Sequence, residues 1–113
     1  TEKKYLPFRD YGEDSFLEKG TFWFRQGHIF SSPFYYIDYT LAQVVAFQYW
    51  IKSRENHEVA LNEYKALCNL GGSESFVSLL NSAKLENPFI NGVVKKTIEP
   101  IEAYLDSIND TEL

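Results

Sequence analysis

The chain has 113 residues and a net charge of −5, with 44% hydrophobic and 24% charged residues. That length fits one hydrophobic core, and the composition excludes collagen-like and disordered chains. No run approaches the roughly 18 apolar residues that a membrane span needs, and Lys3-Lys4 and Lys95-Lys96 are the only basic doublets, so neither a membrane nor nucleic acid is an expected partner. One cysteine, Cys68, cannot form an internal disulfide, and no signal-peptide pattern opens the chain; a cytoplasmic setting is expected. The chain contains no Met and starts at Thr1, and 15 of its 19 aromatic residues fall within residues 1–50. Half of a small domain cannot hide that much apolar surface, so a piece of a larger protein is expected.

In chain order, residues 1–16 read as an irregular lead-in, with breaks at Leu6-Pro7 and Tyr11-Gly12. Residues 17–30 read as a short helix and loop, bracketed by Gly20 and Gly27 and carrying Phe22, Trp23, Phe24 and Ile29. Ser31-Ser32-Pro33 is a helix-start signal, because Ser caps orphan N–H groups and Pro suits the first helical position. A long helix over 33–54 should follow, apolar nearly all round through Phe34, Ile37, Leu41, Val44, Val45, Phe47, Trp50 and Ile51, and therefore buried on several sides.

Three amphipathic helices are expected in residues 56–109. Asn56 caps the first, which carries Val59, Leu61, Tyr64, Leu67 and Cys68 and stops at Gly71-Gly72. Ser73 caps the second, which continues to about Lys84 with Phe76, Leu79, Leu80 and Ala83 at helical spacing and ends by Asn87-Pro88. The third runs from about Gly92 to Ile108 with Val94, Ile98, Ile101, Leu105 and Ile108 on one face; Pro100 should kink or split it, and the tail from Asn109 should fray. The expected class is all-α, a bundle of four to five helices without strands.

His57-Glu58-Val59-Ala60-Leu61 imitates the start of a zinc-protease helix, but that motif needs a second His one turn later, where Leu61 stands. With two histidines 29 residues apart and one cysteine, no metal site is assigned to this chain, and His57 reads as a solvated first-turn residue. Cys68, among Tyr64, Leu67 and Leu70, reads as an inert buried thiol. Glu13/Asp14 and Glu99/Glu102 read as solvated faces, and Gly71-Gly72 lacks the Lys of a phosphate loop.

The stretch from Gly27 to Gln43 is the informative one. On a helix begun near Pro33, Tyr36, Tyr39 and Gln43 place three hydrogen-bonding tips on one face. Neutral tyrosine hydroxyls aimed at a developing oxyanion stabilise tetrahedral intermediates; by pattern alone such a stripe is more often packing, with its hydroxyls at the rim. His28, after Gly27, is either a proton handler or substrate clamp, or a His satisfied by a backbone carbonyl. Asp38, set in an apolar helix, is expected to accept a structural hydrogen bond or pair with an Arg.

Phe22-Trp23-Phe24-Arg25-Gln26-Gly27-His28-Ile29-Phe30, continuing through Ser32-Pro33-Phe34-Tyr35-Tyr36-Ile37-Asp38-Tyr39-Thr40-Leu41-Ala42-Gln43, closely resembles the C-terminal region of oligoendopeptidase F, in the thimet oligopeptidase-like zinc metallopeptidases. Leu67-Cys68, Gly71-Gly72-Ser73 and Ser75-Phe76 extend the resemblance over nearly the whole chain. It implies the C-terminal portion of a helical enzyme that hydrolyses short peptides in a deep channel. The zinc of the full-length parent would be held by an upstream HExxH helix and a following Glu, neither in this chain, so this segment alone would bind no metal and be inactive. The family's late His and Tyr residues map onto His28, Tyr36 and Tyr39: His28 and Tyr36 as catalytic and substrate-binding groups, Tyr39 as substrate-binding. Relative to the thimet branch, the loop from Ile29 to Phe34 is one residue shorter and stiffened by Ser31-Ser32-Pro33; the oligoendopeptidase F branch carries this form. The implied partners are short peptides and the missing N-terminal part of the same enzyme. The alternative is a free-standing helical interaction module without catalysis, which would hide its aromatic 1–50 face against a partner protein or in a homodimer.

Overall fold

The structure is a computed structural model describing residues 2–109. The tail expected to fray beyond Asn109 lies outside the described residues. Among those residues the chain is all helical, without strands, as α1 (Glu2–Tyr5), α2 (His28–Ser31), α3 (Ile37–Glu55), α4 (His57–Leu70), α5 (Phe76–Ser82) and α6 (Val93–Asp106). It divides into two compact units, Thr1–Ile37 and Asp38–Leu113. No described helix is long and apolar enough to cross a membrane.

The first unit is less regular than the expected short helix. Residues 17–30 hold two single 3-10 turns, Leu17–Lys19 and Phe22–Arg25, before His28 opens α2. Gly20, left-handed at φ +79°, closes the first turn through its N–H to the Leu17 carbonyl. Aromatic rings hold this irregular backbone together: Trp23 stacks on Phe30 at 5.6 Å and meets Phe24 edge-on at 4.3 Å, and the Arg9 guanidinium lies 3.9 Å from the Phe22 centroid.

The expected start of the long helix at Pro33 is corrected: α3 begins at Ile37. Ser31 instead ends α2, and the Tyr35 N–H donates to the Ser32 carbonyl at 3.1 Å, closing a turn with Pro33 second and Phe34 third. Phe34 has φ +68°. Proline followed by a positive φ is the type II arrangement, so Pro33 serves a turn rather than a helix start. Among its described residues only Val44 and Gln48 are buried, so the apolar faces that the pattern assigns to missing neighbours stand open in this segment.

In the second unit, α3, α4 and α5 enclose a core of Leu80, Ala83 and Leu85, against which Val45, Tyr49, Leu67 and Phe76 pack. Gln48 is buried and reads the backbone of Glu86 in both senses: its Nε2 donates to the Glu86 carbonyl at 3.0 Å, and the Glu86 N–H donates to its Oε1 at 2.7 Å. Trp50 meets Tyr104 edge-on at 5.0 Å, and the Arg54 guanidinium lies 4.7 Å from the Tyr104 ring and 5.2 Å from Trp50, joining α3 to α6.

Asn56 caps α4 as expected, its side chain accepting from the Val59 N–H at 3.1 Å, and Gly71 ends the helix. The cap of α5 is corrected from Ser73 to Ser75, which is extended and accepts from the Ser78 N–H, while the Ser73 N–H closes the preceding turn on the Leu70 carbonyl. This helix also stops early. Lys84 adopts φ +54°, and the Leu85 N–H returns to the Leu80 carbonyl at 2.9 Å, a left-handed stop built on Lys where Gly is usual. Of the kink or split expected at Pro100, the split does not occur, since α6 runs through it as one element. Pro100 itself is exposed.

Cys68 is exposed rather than buried, a correction caused by its place on the outer side of α4. It hydrogen-bonds Tyr64, which raises the Tyr64 hydroxyl above the ordinary phenol range. Tyr49, whose ring meets Tyr64 at 5.5 Å, also has a raised hydroxyl, chiefly through burial and then through the charge of Glu63. Glu63 itself titrates below its ordinary value, first because Lys52 hydrogen-bonds it at 2.7 Å and then because Lys84 joins at 3.4 Å, against an opposing push from burial. A carboxylate lowered in the folded state stabilises the protein above the ordinary carboxylate range, and the contribution disappears as pH falls through the folded value. Glu63→Gln is therefore expected to flatten the acid side of the stability profile, read by denaturant unfolding at neutral and acidic pH; equal profiles would exclude that role.

Candidate functional site

The first unit contains a cavity of about 640 Å³, within the range of small-ligand sites. Tyr5, Leu6, Phe22, Trp23 and Ile29 supply its apolar wall, Arg9, Lys19 and Gln26 its polar groups, and Tyr36 also lines it. The Glu2 side chain, also lining it, is only 13% exposed and has its nearest cation, Arg9, at 3.7 Å. These residues come together because single turns at Leu17–Lys19 and Phe22–Arg25 fold the aromatic run back on itself.

His28 opens α2 and is half-buried. Its ring lies 4.8 Å from that of Tyr36, inclined at 45°, and 6.2 Å from that of Tyr35, nearly perpendicular. His28 and Tyr36 are thus brought together, but not as the helical stripe implied: Tyr36 lies in the turn before α3. The turn accomplishes this, because the left-handed Phe34 reverses the chain after Pro33 and returns Tyr35 and Tyr36 to α2. Tyr39 lies on α3 in the second unit, exposed, with Gln43 one helical turn beyond it. Of the expected trio of tips, Tyr39 and Gln43 share a helix and Tyr36 does not.

The Asp38 side chain makes neither the structural hydrogen bond nor the Arg pair expected of it among the described residues, and it occupies the first turn of α3, where the helix dipole favours a carboxylate. His57 is exposed at the start of α4, its Nδ1 2.8 Å from the Ser53 hydroxyl. Among the described residues no three His, Cys, Asp or Glu side chains gather as a metal site, so no ligand set for zinc can be drawn from them.

Two features escaped the reading of the sequence. Arg9 and Glu2 fall in a stretch expected to be irregular, and nothing in their spacing marks them as cavity residues. Phe34 has the spacing of one more apolar helical position. Its left-handed backbone costs roughly 1–2 kcal/mol for a residue with a β-carbon, and the only available signal was that Ser32-Pro33 opens turns as well as helices.

No family model and no curated protein matches the chain. A crystal structure of oligoendopeptidase F matches 99% of it at 54% identity and TM-score 0.88, and the chain covers 20% of that protein. PZ peptidase A, solved with an inhibitor, matches 96% at 50% identity and TM-score 0.86, with 19% of that protein covered. An oligoendopeptidase F from Bacillus anthracis matches 99% at 43% identity and TM-score 0.69, with 21% covered. The chain therefore spans about one fifth of the proteins it matches. With such identity over essentially its whole length, it belongs to oligoendopeptidase F, as a segment of that fold.

Proposed function

We propose that this segment is the C-terminal part of a zinc-dependent oligoendopeptidase and forms one wall of the site where short peptides are held and hydrolysed. The observation that carries the reading is the packing of His28 against Tyr36, which lines an aromatic cavity. The Tyr36 hydroxyl is a neutral donor for the oxygen that becomes negative as the peptide carbonyl turns tetrahedral. His28, half-buried beside it, fixes the Tyr36 ring and offers a ring nitrogen to the peptide backbone. Tyr39 contributes a further hydroxyl to peptide binding. The cavity holds a substrate side chain, which orients the scissile bond.

In this reading the zinc is held by residues of the longer protein outside this segment; when bound it supplies Lewis-acid activation of water and carbonyl. The complete enzyme is expected to cleave a quenched fluorescent peptide of a few residues, to lose that activity on chelation and to regain it with zinc. The 113-residue segment should show no hydrolysis under any metal condition. Undiminished cleavage by the chelated enzyme would overturn the zinc assignment, and peptidase activity in the segment alone would overturn its assignment as a non-metal-binding wall.

A further inference from the structure

Phe34 combines three properties that no packing within its own unit explains. It occupies the third position of a type II turn at φ +68°, where glycine is the residue the backbone calls for. Its side chain is 94% exposed, so contacts within the first unit do not offset the strain. It also sits directly before Tyr35 and Tyr36, whose rings are held against His28, so the turn that lifts it is fixed relative to the candidate site.

The backbone alone does not require a ring there: glycine would form the same turn without strain. Strain retained at an exposed position beside hydrogen-bonding groups is characteristic of sites where the surroundings of a bound ligand complete the structure. A rigid apolar ring next to a few placed polar donors is also the usual make-up of a pocket for organic ligands.

We propose that Phe34 is a specificity residue, its ring packing on an apolar side chain of the bound peptide next to the residue whose carbonyl meets Tyr36. The proposal rests on the peptidase reading above. The turn fixes the backbone that carries the ring, so little backbone freedom is lost on binding.

The test uses the complete enzyme and two quenched peptides of equal length, one rich in Leu and Phe and one built of Gly and Ser around the same scissile pair. Phe34→Gly keeps the left-handed turn and removes the ring; Phe34→Asn, a second residue tolerant of that backbone, repeats the test should the glycine variant fail to fold. The expected result in both variants is a loss in kcat/KM on the order of tenfold for the apolar peptide, carried by KM, with a much smaller change for the Gly/Ser peptide. The Tm should be unchanged or raised. Equal losses on both peptides carried by kcat would overturn the proposal and make Phe34 a positioning residue for Tyr36. A lowered Tm with unchanged discrimination would overturn it in favour of packing against the longer protein, and no change in either quantity would overturn it outright. A wild-type enzyme that cleaves neither peptide would instead overturn the peptidase reading.

Discussion

Replacing Tyr36 with Phe in the complete enzyme is expected to lower kcat by about 100- to 1,000-fold, the range seen when a single oxyanion donor is removed, while KM changes little. The substitution removes one oxygen and leaves the ring that packs on His28 at 4.8 Å and lines the cavity. Packing is thus preserved and only the hydrogen bond is lost. That bond matters most when the carbonyl oxygen carries negative charge, so the loss falls on the chemical step rather than on binding. Steady-state kinetics on one short peptide decide the matter. An unchanged kcat would leave Tyr36 as an aromatic brace, and a raised KM at constant kcat would make it a ground-state contact only.

The second large effect concerns stability. Gln48→Ala is expected to destabilise the fold by about 2–4 kcal/mol, because the Glu86 N–H and carbonyl lose their partners together. Gln48 is 8% exposed and makes both bonds from one amide, at 2.7 and 3.0 Å. Those bonds fix the segment after α5 against α3, beside the Leu80, Ala83 and Leu85 core. Denaturant unfolding of the complete enzyme, followed by a probe in this region, measures the change. A loss below about 1 kcal/mol would mean that water replaces the amide at little cost.

How much of this was legible depended on whether a local rule or a tertiary one decided each element. Asn56 was readable as a cap because it precedes an apolar periodicity and its side chain bonds its own backbone neighbourhood at Val59. The end of α4 was readable because Gly71 stands there. The end of α5 was not, because Lys84 adopts the left-handed conformation and Lys carries no compositional mark of it. The same holds for Phe34, whose backbone converts an expected helix start into a turn. Ser73 and Ser75 were equally good caps by type, and only the extended backbone of Ser75 separated them.

The candidate site was legible in its membership more than in its geometry. His28 and Tyr36 were named from the stretch that carries the family resemblance, and the structure brings their rings together. The helical spacing used to group Tyr36 with Tyr39 and Gln43 was the wrong reason, since Tyr36 precedes α3. Arg9 and Glu2 remained hidden because they reach the cavity through tertiary folding of short turns, which periodicity cannot register. The exposure of Cys68 was missed because its apolar neighbours along α4 do not define which side of the helix meets the core.

Trp23 lies in the first unit, exposed and stacked on Phe30, while Trp50 lies in the second, half-buried beside Tyr104 and Arg54. These are the two tryptophans of the chain, so each unit carries its own intrinsic fluorophore. Emission from Trp23 should be the more solvent-shifted and the more readily quenched by iodide. Single Trp→Phe variants of the segment would then separate the optical signal of one unit from that of the other, letting the order in which they form be followed without any added label.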